Sequence, residues 1–174
     1  MKDIHDLIIN YENFPKEGIS FKDVLGILKK PNVFKNLIHR MGNSDIIRKS
    51  DAIIAIDARG FIFGSAISYY SSKPMVVARK SGKLPGDLIE LSYELEYGQN
   101  TLSIQKDTVK DFHKFVIIDD LLATGGTAKC VSNLIESIGK NILGLSVVAE
   151  IVNLKGKSNL SFDVESQIKL WILY

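Results

Sequence analysis

Three observations predict an α/β fold with a mainly parallel sheet flanked by helices. Short, mainly apolar segments, rich in β-branched side chains, recur at 52–56, 75–79, 115–118 and 143–150, as strands of a largely buried parallel sheet require. Segments that can be helical lie between them, at 60–70 and roughly 126–138. Two of the strand runs end in polar, glycine-bearing turns that open the next helix. Such alternation of strand and helix builds a parallel sheet with helices on both faces.

Taken in order, residues 2–10 carry Ile4, Leu7 and Ile8 at helical spacing and predict a short amphipathic helix. Residues 12–23 are punctuated by Pro15 and Gly18, which leaves room for only a very short strand. Pro31 suits the first turn of a helix that Phe34, Leu37, Ile38 and Met41 continue to Gly42. After the 75–79 strand, residues 81–90 read as loop and 91–104 as an edge hairpin around Gly98. A C-terminal strand is expected over 168–173, with Trp171 as a packing residue within it.

The chain of 174 residues fits one domain, 1–174, with a sizeable core. A net charge of +2 without a dense Lys/Arg stripe argues against a nucleic-acid partner. No apolar run has the length of a membrane span, and the start Met1-Lys2-Asp3 has no signal-peptide core. The single cysteine, Cys130, excludes an internal disulfide framework and points to a reducing compartment, the cytoplasm. Cys130 reads as a small buried residue rather than a nucleophile. His5, His39 and His113 lie apart, without metal-ligand spacing, and read as structural or surface residues.

The most informative stretch runs from Phe115 to Thr127. A buried strand meets two adjacent carboxylates, Asp119 and Asp120, and then the turn Ala123-Thr124-Gly125-Gly126-Thr127. At a helix N-terminus such a turn offers successive backbone N–H groups and two hydroxyls, a cradle for phosphate. The acids directly before it need a neutral polyol, a metal or both, because carboxylate beside phosphate otherwise repels. A sugar phosphate satisfies the arrangement. The nucleotide-triphosphate loop is excluded, since Gly126 is followed by Thr127 and Ala128 rather than by Lys. Thr-Gly-Gly-Thr alone is equally a tight turn with an N-cap threonine; the full order of strand, acids and turn carries the ligand reading.

A second cluster follows the 52–56 strand: Asp57-Ala58-Arg59-Gly60. Arg59 offers a planar fork for phosphate oxygens and the turn offers backbone N–H groups. A third strand ends in Arg79, Lys80 and Lys83, three cations in five residues. By residue type these form either a solvated loop or a further phosphate contact. Two phosphate-friendly strand ends and a basic loop ask for a ligand with phosphates at both ends.

Several colinear segments support a resemblance: Phe14-Pro-Lys-Glu-Gly, Asp57-Ala-Arg-Gly-Phe, Arg79-Lys-Ser-Gly-Lys-Leu-Pro-Gly, Tyr93-Glu-Leu-Glu-Tyr-Gly, Ile104-Gln-Lys-Asp, 116–127 and Glu150-Ile-Val-Asn-Leu-Lys-Gly. On these, spread over most of 14–156, the chain resembles the type I phosphoribosyltransferases, in their adenine branch. The resemblance implies a Rossmann-like domain with a small N-terminal hood (approximately 1–30) and a flexible lid hairpin (approximately 81–105). It implies a pentosyl transferase of purine salvage, joining adenine to 5-phosphoribosyl 1-pyrophosphate (PRPP) to give AMP and pyrophosphate. It also implies Mg²⁺ carried mainly through the substrate with no dedicated protein cage, and a homodimer whose interface lies near the basic loop, with Arg79 acting either within its own chain or across it.

Site roles follow from the same resemblance. Asp119 and Asp120 hold the ribose hydroxyls and tolerate positive charge on the ring. Ala123, Thr124, Gly125, Gly126 and Thr127 bind the 5′-phosphate. Asp57, Ala58, Arg59 and Gly60 bind pyrophosphate with Arg79, Lys80 and Lys83, in a turn where the family often has a cis peptide without proline. Enzymes for 6-oxopurines place an Asp where this chain has Ala123, so the proton-handling group is sought elsewhere, at Glu96 in the lid. Adenine is read through backbone groups of Ser20 and Lys22, where the family usually has an aliphatic residue and Arg. Phe21 either stacks beside the base or packs in the core.

Overall fold

The computed structural model describes residues 2–95 and 98–172. Nine strands and six α-helices run in the order α1 Lys2–His5, β1 Ile9–Glu12, β2 Ser20–Asp23, α2 Pro31–Gly42, α3 Asp45–Lys49, β3 Ala52–Ile56, α4 Gly60–Ser71, β4 Met75–Lys80, β5 Leu88–Leu95, β6 Gly98–Gln105, α5 Lys106–Val109, β7 Lys114–Leu122, α6 Gly126–Glu136, β8 Asn141–Ile151 and β9 Asp163–Leu170. Seven strands form one sheet in the order β5-β6-β4-β3-β7-β8-β9. The five from β4 to β9 pair in parallel, and β5 and β6 complete the edge antiparallel. β1 and β2 make a separate antiparallel ladder, Ile9 opposite Asp23 and Glu12 opposite Ser20.

The period-two alternation of a strand explains why both sheet faces are covered. Ala52, Ile54 and Ile56 of β3 and Phe115 and Ile117 of β7 join α6, through Val131, Leu134 and Ile135, in one core cluster. Ile53, Val116 and Ile118 face the other way, onto Leu37, Met41, Ile47, Phe63 and Ile67 of α2, α3 and α4. Each such aliphatic side chain removed from water is worth about 1.5–3 kcal/mol. The apolar runs are therefore continuous because both of their faces are interior.

Strand β3 leads through α4 to β4 on one side, while β7 leads through α6 to β8 on the other. The direction of winding reverses between β3 and β7, the position where open α/β sheets bind ligands beyond their carboxyl ends. The β3–β7 register runs from Ala52–Phe115 to Ala55–Ile118. The residues that follow, Asp57 on one strand and Asp119 and Asp120 on the other, are thus neighbours at that edge.

Some expectations need correction. Residues 2–10 do not form one helix: the helix stops at His5 and Ile9 enters β1. Ile4 is buried and Leu7 and Ile8 pack against the same cluster, so one turn of helix and a bend satisfy the apolar spacing. The final strand spans Asp163–Leu170 rather than 168–173, since its length is set by pairing with β8 from Gly144 to Ile151. Trp171 lies past the strand and is 54% exposed, so it is not a packing residue. Strand β5 begins at Leu88, inside the segment read as loop, and α3 was not expected.

Candidate functional site

Strand β7 stays paired with β8 to Leu122, beyond the acids, so both carboxylates sit on a rigid element. Asp120 is buried, and its Oδ2 lies 3.0 Å from Nε of Arg59. This is an ion pair by distance rather than an aligned hydrogen bond. Oδ2 of Asp120 and Nη1 of Arg59 are both buried without a hydrogen-bond partner among the described residues. Oδ1 of Asp119 accepts the N–H of Asp120 at 2.9 Å. Burial pushes the Asp119 carboxyl well above the usual carboxylate range, and the charge of Asp120 adds to the rise. Burial also raises Asp120, opposed by the Arg59 guanidinium.

The second turn meets the first directly. The Asp57–Ala58 peptide is cis, and Gly60 starts α4 against β7. A Cβ on Gly60 would stand 2.9 Å from the Ile118 carbonyl oxygen and 3.0 Å from Oδ1 of Asp119, so only glycine fits. Nε of Arg79 donates to Oδ2 of Asp57 at 2.9 Å, and the Arg79 guanidinium lies 5.7 Å from the Phe61 ring centre. Arg79 is therefore held against the Asp57–Gly60 turn. Lys80 ends β4, and the Lys83 carbonyl accepts from Nη1 of Arg79, so the basic loop folds back on the same cluster.

The glycine turn after β7 forms a cleft of about 90 Å³ lined by Asp119 and 121–128. Gly125 takes φ +85° as it enters α6, a conformation that suits glycine. The turn is backed by the segment after β8: Nδ2 of Asn159 donates to the Thr124 carbonyl at 2.9 Å, and a Cβ on Gly156 would overlap the Ala123 carbonyl oxygen. From the other side, the hydroxyls of Tyr93 and Thr127 lie 3.3 Å apart.

A second cavity, about 400 Å³, opens beside this cleft. Ser20, Phe21, Lys22, Ile151, Leu154 and Ile172 line it, and Leu121, Ala123 and Thr124 are shared with the phosphate-type cleft. The Arg59 guanidinium stacks 4.8 Å from the Phe21 ring centre, while Phe14 meets Phe21 edge-on at 5.2 Å. Phe21 thus lines the cavity and carries Arg59 on its ring. The Ser20 hydroxyl, with its one proton, lies 2.8 Å from Oδ1 of Asn10 and 3.2 Å from Oε1 of Glu12, both on β1.

The structure brings together the predicted residues at 20–22, 57–60, 79, 119–120 and 123–127. Glu96 lies outside the described residues. Sequence reasoning missed Leu121, Ile151, Leu154 and Ile172 as cavity walls. Leu121 was legible, because strand alternation puts it on the same face as Asp119. Cys130 is buried, with its thiol pushed up to about 11 by burial, as a structural cysteine should be. His5, His39 and His113 are exposed, and His39 stacks on Tyr70. Among the described residues no group of three or more His, Cys, Asp or Glu could hold a metal ion, and no helix is long and apolar enough to cross a membrane.

A family model described as the phosphoribosyl transferase domain matches residues 25–166. An adenine phosphoribosyltransferase of Prochlorococcus marinus (strain MIT 9515) is 60% identical over 163 residues, 94% of this chain and 95% of that protein. The crystal structure of an adenine phosphoribosyltransferase from Thermoanaerobacter pseudethanolicus superposes with a TM-score of 0.91 at 38% identity, covering 97% of this chain and 99% of that one. The Saccharomyces cerevisiae adenine phosphoribosyltransferase, solved with an imino-altritol bisphosphate and adenine, superposes with a TM-score of 0.86 at 34% identity, covering 95% and 96%.

Proposed function

The chain belongs to the phosphoribosyltransferase family, and from that premise we infer that it transfers the phosphoribosyl group of PRPP to adenine, forming AMP and pyrophosphate in purine salvage. One observation carries the reading. The glycine-turn cleft and the larger apolar cavity share Leu121, Ala123 and Thr124 as a common wall. A nucleoside monophosphate spans such a pair, its phosphate in the cleft and its base in the cavity. The ribose then falls beside Asp119 and Asp120, and the Asp57–Gly60 turn lies on the side left for pyrophosphate.

The chemistry follows from these positions. As the C1′–oxygen bond to pyrophosphate breaks, its electron pair leaves with pyrophosphate and positive charge builds on the ribose ring. Asp119 and Asp120 hold the ring hydroxyls and counter that charge. Arg59, with its buried Nη1 free of protein partners among the described residues, donates to the leaving group; Arg79, Lys80 and Lys83 supply further positive charge. Ala123 to Thr127 fix the 5′-phosphate through backbone N–H groups and hydroxyls. A ring nitrogen of adenine forms the new bond to C1′, and Glu96 handles its proton.

The donor set fits Mg²⁺ as a hard cation arriving on substrate oxygens: the adjacent carboxylates of Asp119 and Asp120 are oxygen ligands of the kind such an ion takes. When bound, Mg²⁺ neutralises charge developing on the leaving pyrophosphate.

The β1–β2 ladder serves as the hood, reading the base through the backbone of Ser20 and Lys22, and the β5–β6 hairpin serves as the lid of one domain. The cytoplasm is the site of action and a homodimer the working form, which sedimentation velocity would test. Incubation with Mg²⁺, PRPP and each purine in turn should yield AMP from adenine and little from hypoxanthine or guanine. Absence of AMP overturns the reading.

A further inference from the structure

We propose that Asn153 is a positioning residue that holds Ile172 as a wall of the base cavity, making the segment after β9 a determinant of base specificity. The inference rests on the transferase reading above. Parallel pairing of β8 with β9 ends at Ile151 opposite Leu170. Beyond it the Asn153 side chain takes over the role of a strand partner. Its Nδ2 donates to the Ile172 carbonyl at 2.9 Å, and its Oδ1 accepts the Ile172 N–H at 3.1 Å. An amide that meets both polar groups of one residue fixes the position and the direction of that residue.

The fixed residue lines the cavity. Trp171 is exposed, and Ile172 shares the cavity lining with Ser20, Lys22, Ile151 and Leu154. An aliphatic wall offers no hydrogen bond and acts by excluding volume, so it restricts which substituents the purine ring can carry. Asn153 belongs to the Glu150-Ile-Val-Asn-Leu-Lys-Gly segment, whose Gly156 backs the phosphate turn, but the phosphate, ribose and proton roles give Asn153 itself no task.

Turnover of adenine, N6-methyladenine and 2,6-diaminopurine by the whole chain tests this. Ile172→Ala should raise kcat/KM for at least one enlarged purine relative to adenine by about tenfold or more, the scale expected for a deleted methylene contact. Ile172→Val should shift the ratio less, in the same direction. Asn153→Ala should raise KM for adenine at least fivefold with KM for PRPP within twofold, and should add nothing to Ile172→Ala in the double variant. Asn153→Asp, which keeps the acceptor and loses the donor, should lie between. If discrimination is unchanged in both Ile172 variants, or Asn153→Ala moves both KM values alike, the inference is overturned while the transferase reading stands. A wild-type protein that forms no AMP overturns both.

Discussion

The hydroxyl of Tyr93, on β5 of the edge hairpin, lies 3.3 Å from the hydroxyl of Thr127 in the first turn of α6. The hairpin therefore touches the glycine turn directly. If Tyr93 donates, the Thr127 proton is left to a phosphate oxygen. Tyr93→Phe keeps the ring packed against the core and removes only this bond, worth about 0.5–1.5 kcal/mol. The expected outcome is a roughly two- to twelvefold rise in KM for PRPP, with KM for adenine unchanged in steady-state kinetics. Equal effects on both substrates would remove the phosphate role.

Asp119→Asn should separate activity from stability. The Asp119 carboxyl has a folded pKa raised by burial and by Asp120. A raised pKa in the folded state means that its contribution is fully present below the unfolded pKa of about 3.9 and is lost as pH rises through the folded value. Asparagine keeps the acceptor for the Asp120 N–H and carries no charge. The variant should lose turnover and PRPP affinity but melt above the wild type at pH 7–8, with the gap shrinking toward pH 4; each kcal/mol corresponds to about 2–4 °C. Differential scanning fluorimetry across pH reads this, and a gap independent of pH counts against it.

Gly156→Ala tests the backing of the phosphate turn. The added Cβ would overlap the Ala123 carbonyl and push the turn out of place. Overpacking of this kind costs about 1–3 kcal/mol. A lowered denaturant midpoint together with a raised KM for PRPP is expected; loss of stability with unaltered KM would show that the turn does not depend on this contact.

Glu96→Ala should lower kcat while PRPP affinity stays near that of the wild type, since the proton-handling group acts on the base and not on the phosphates. Isothermal titration with PRPP beside turnover measurements distinguishes this from a binding defect. A purely binding defect would reassign Glu96.

The central strands and the chemistry at their ends were legible because the physics is local. The run at 52–56 is apolar at every position because β3 is interior on both faces, and the turn 123–127 declares itself by glycine and hydroxyl content. Helix α3 has only five residues, too short for periodicity to register. Strand β9 begins with the mixed sequence Asp163-Val164-Glu165, and only its pairing with β8 makes it a strand. For the same reason Ile151 and Leu154 could not be assigned to one cavity with Ile172: that proximity belongs to the tertiary structure, whereas Asp119 and Thr127 lie within one short stretch of chain.

Gly60 bears on how this protein can move. Its bare Cα against Ile118 and Asp119 leaves no layer of side chains between the two strand ends, so the turn for the leaving group and the acids for the sugar are cast as one solid piece. Any residue larger than glycine at position 60 would push the two apart and change the spacing between bond-making and bond-breaking sites before substrate is present.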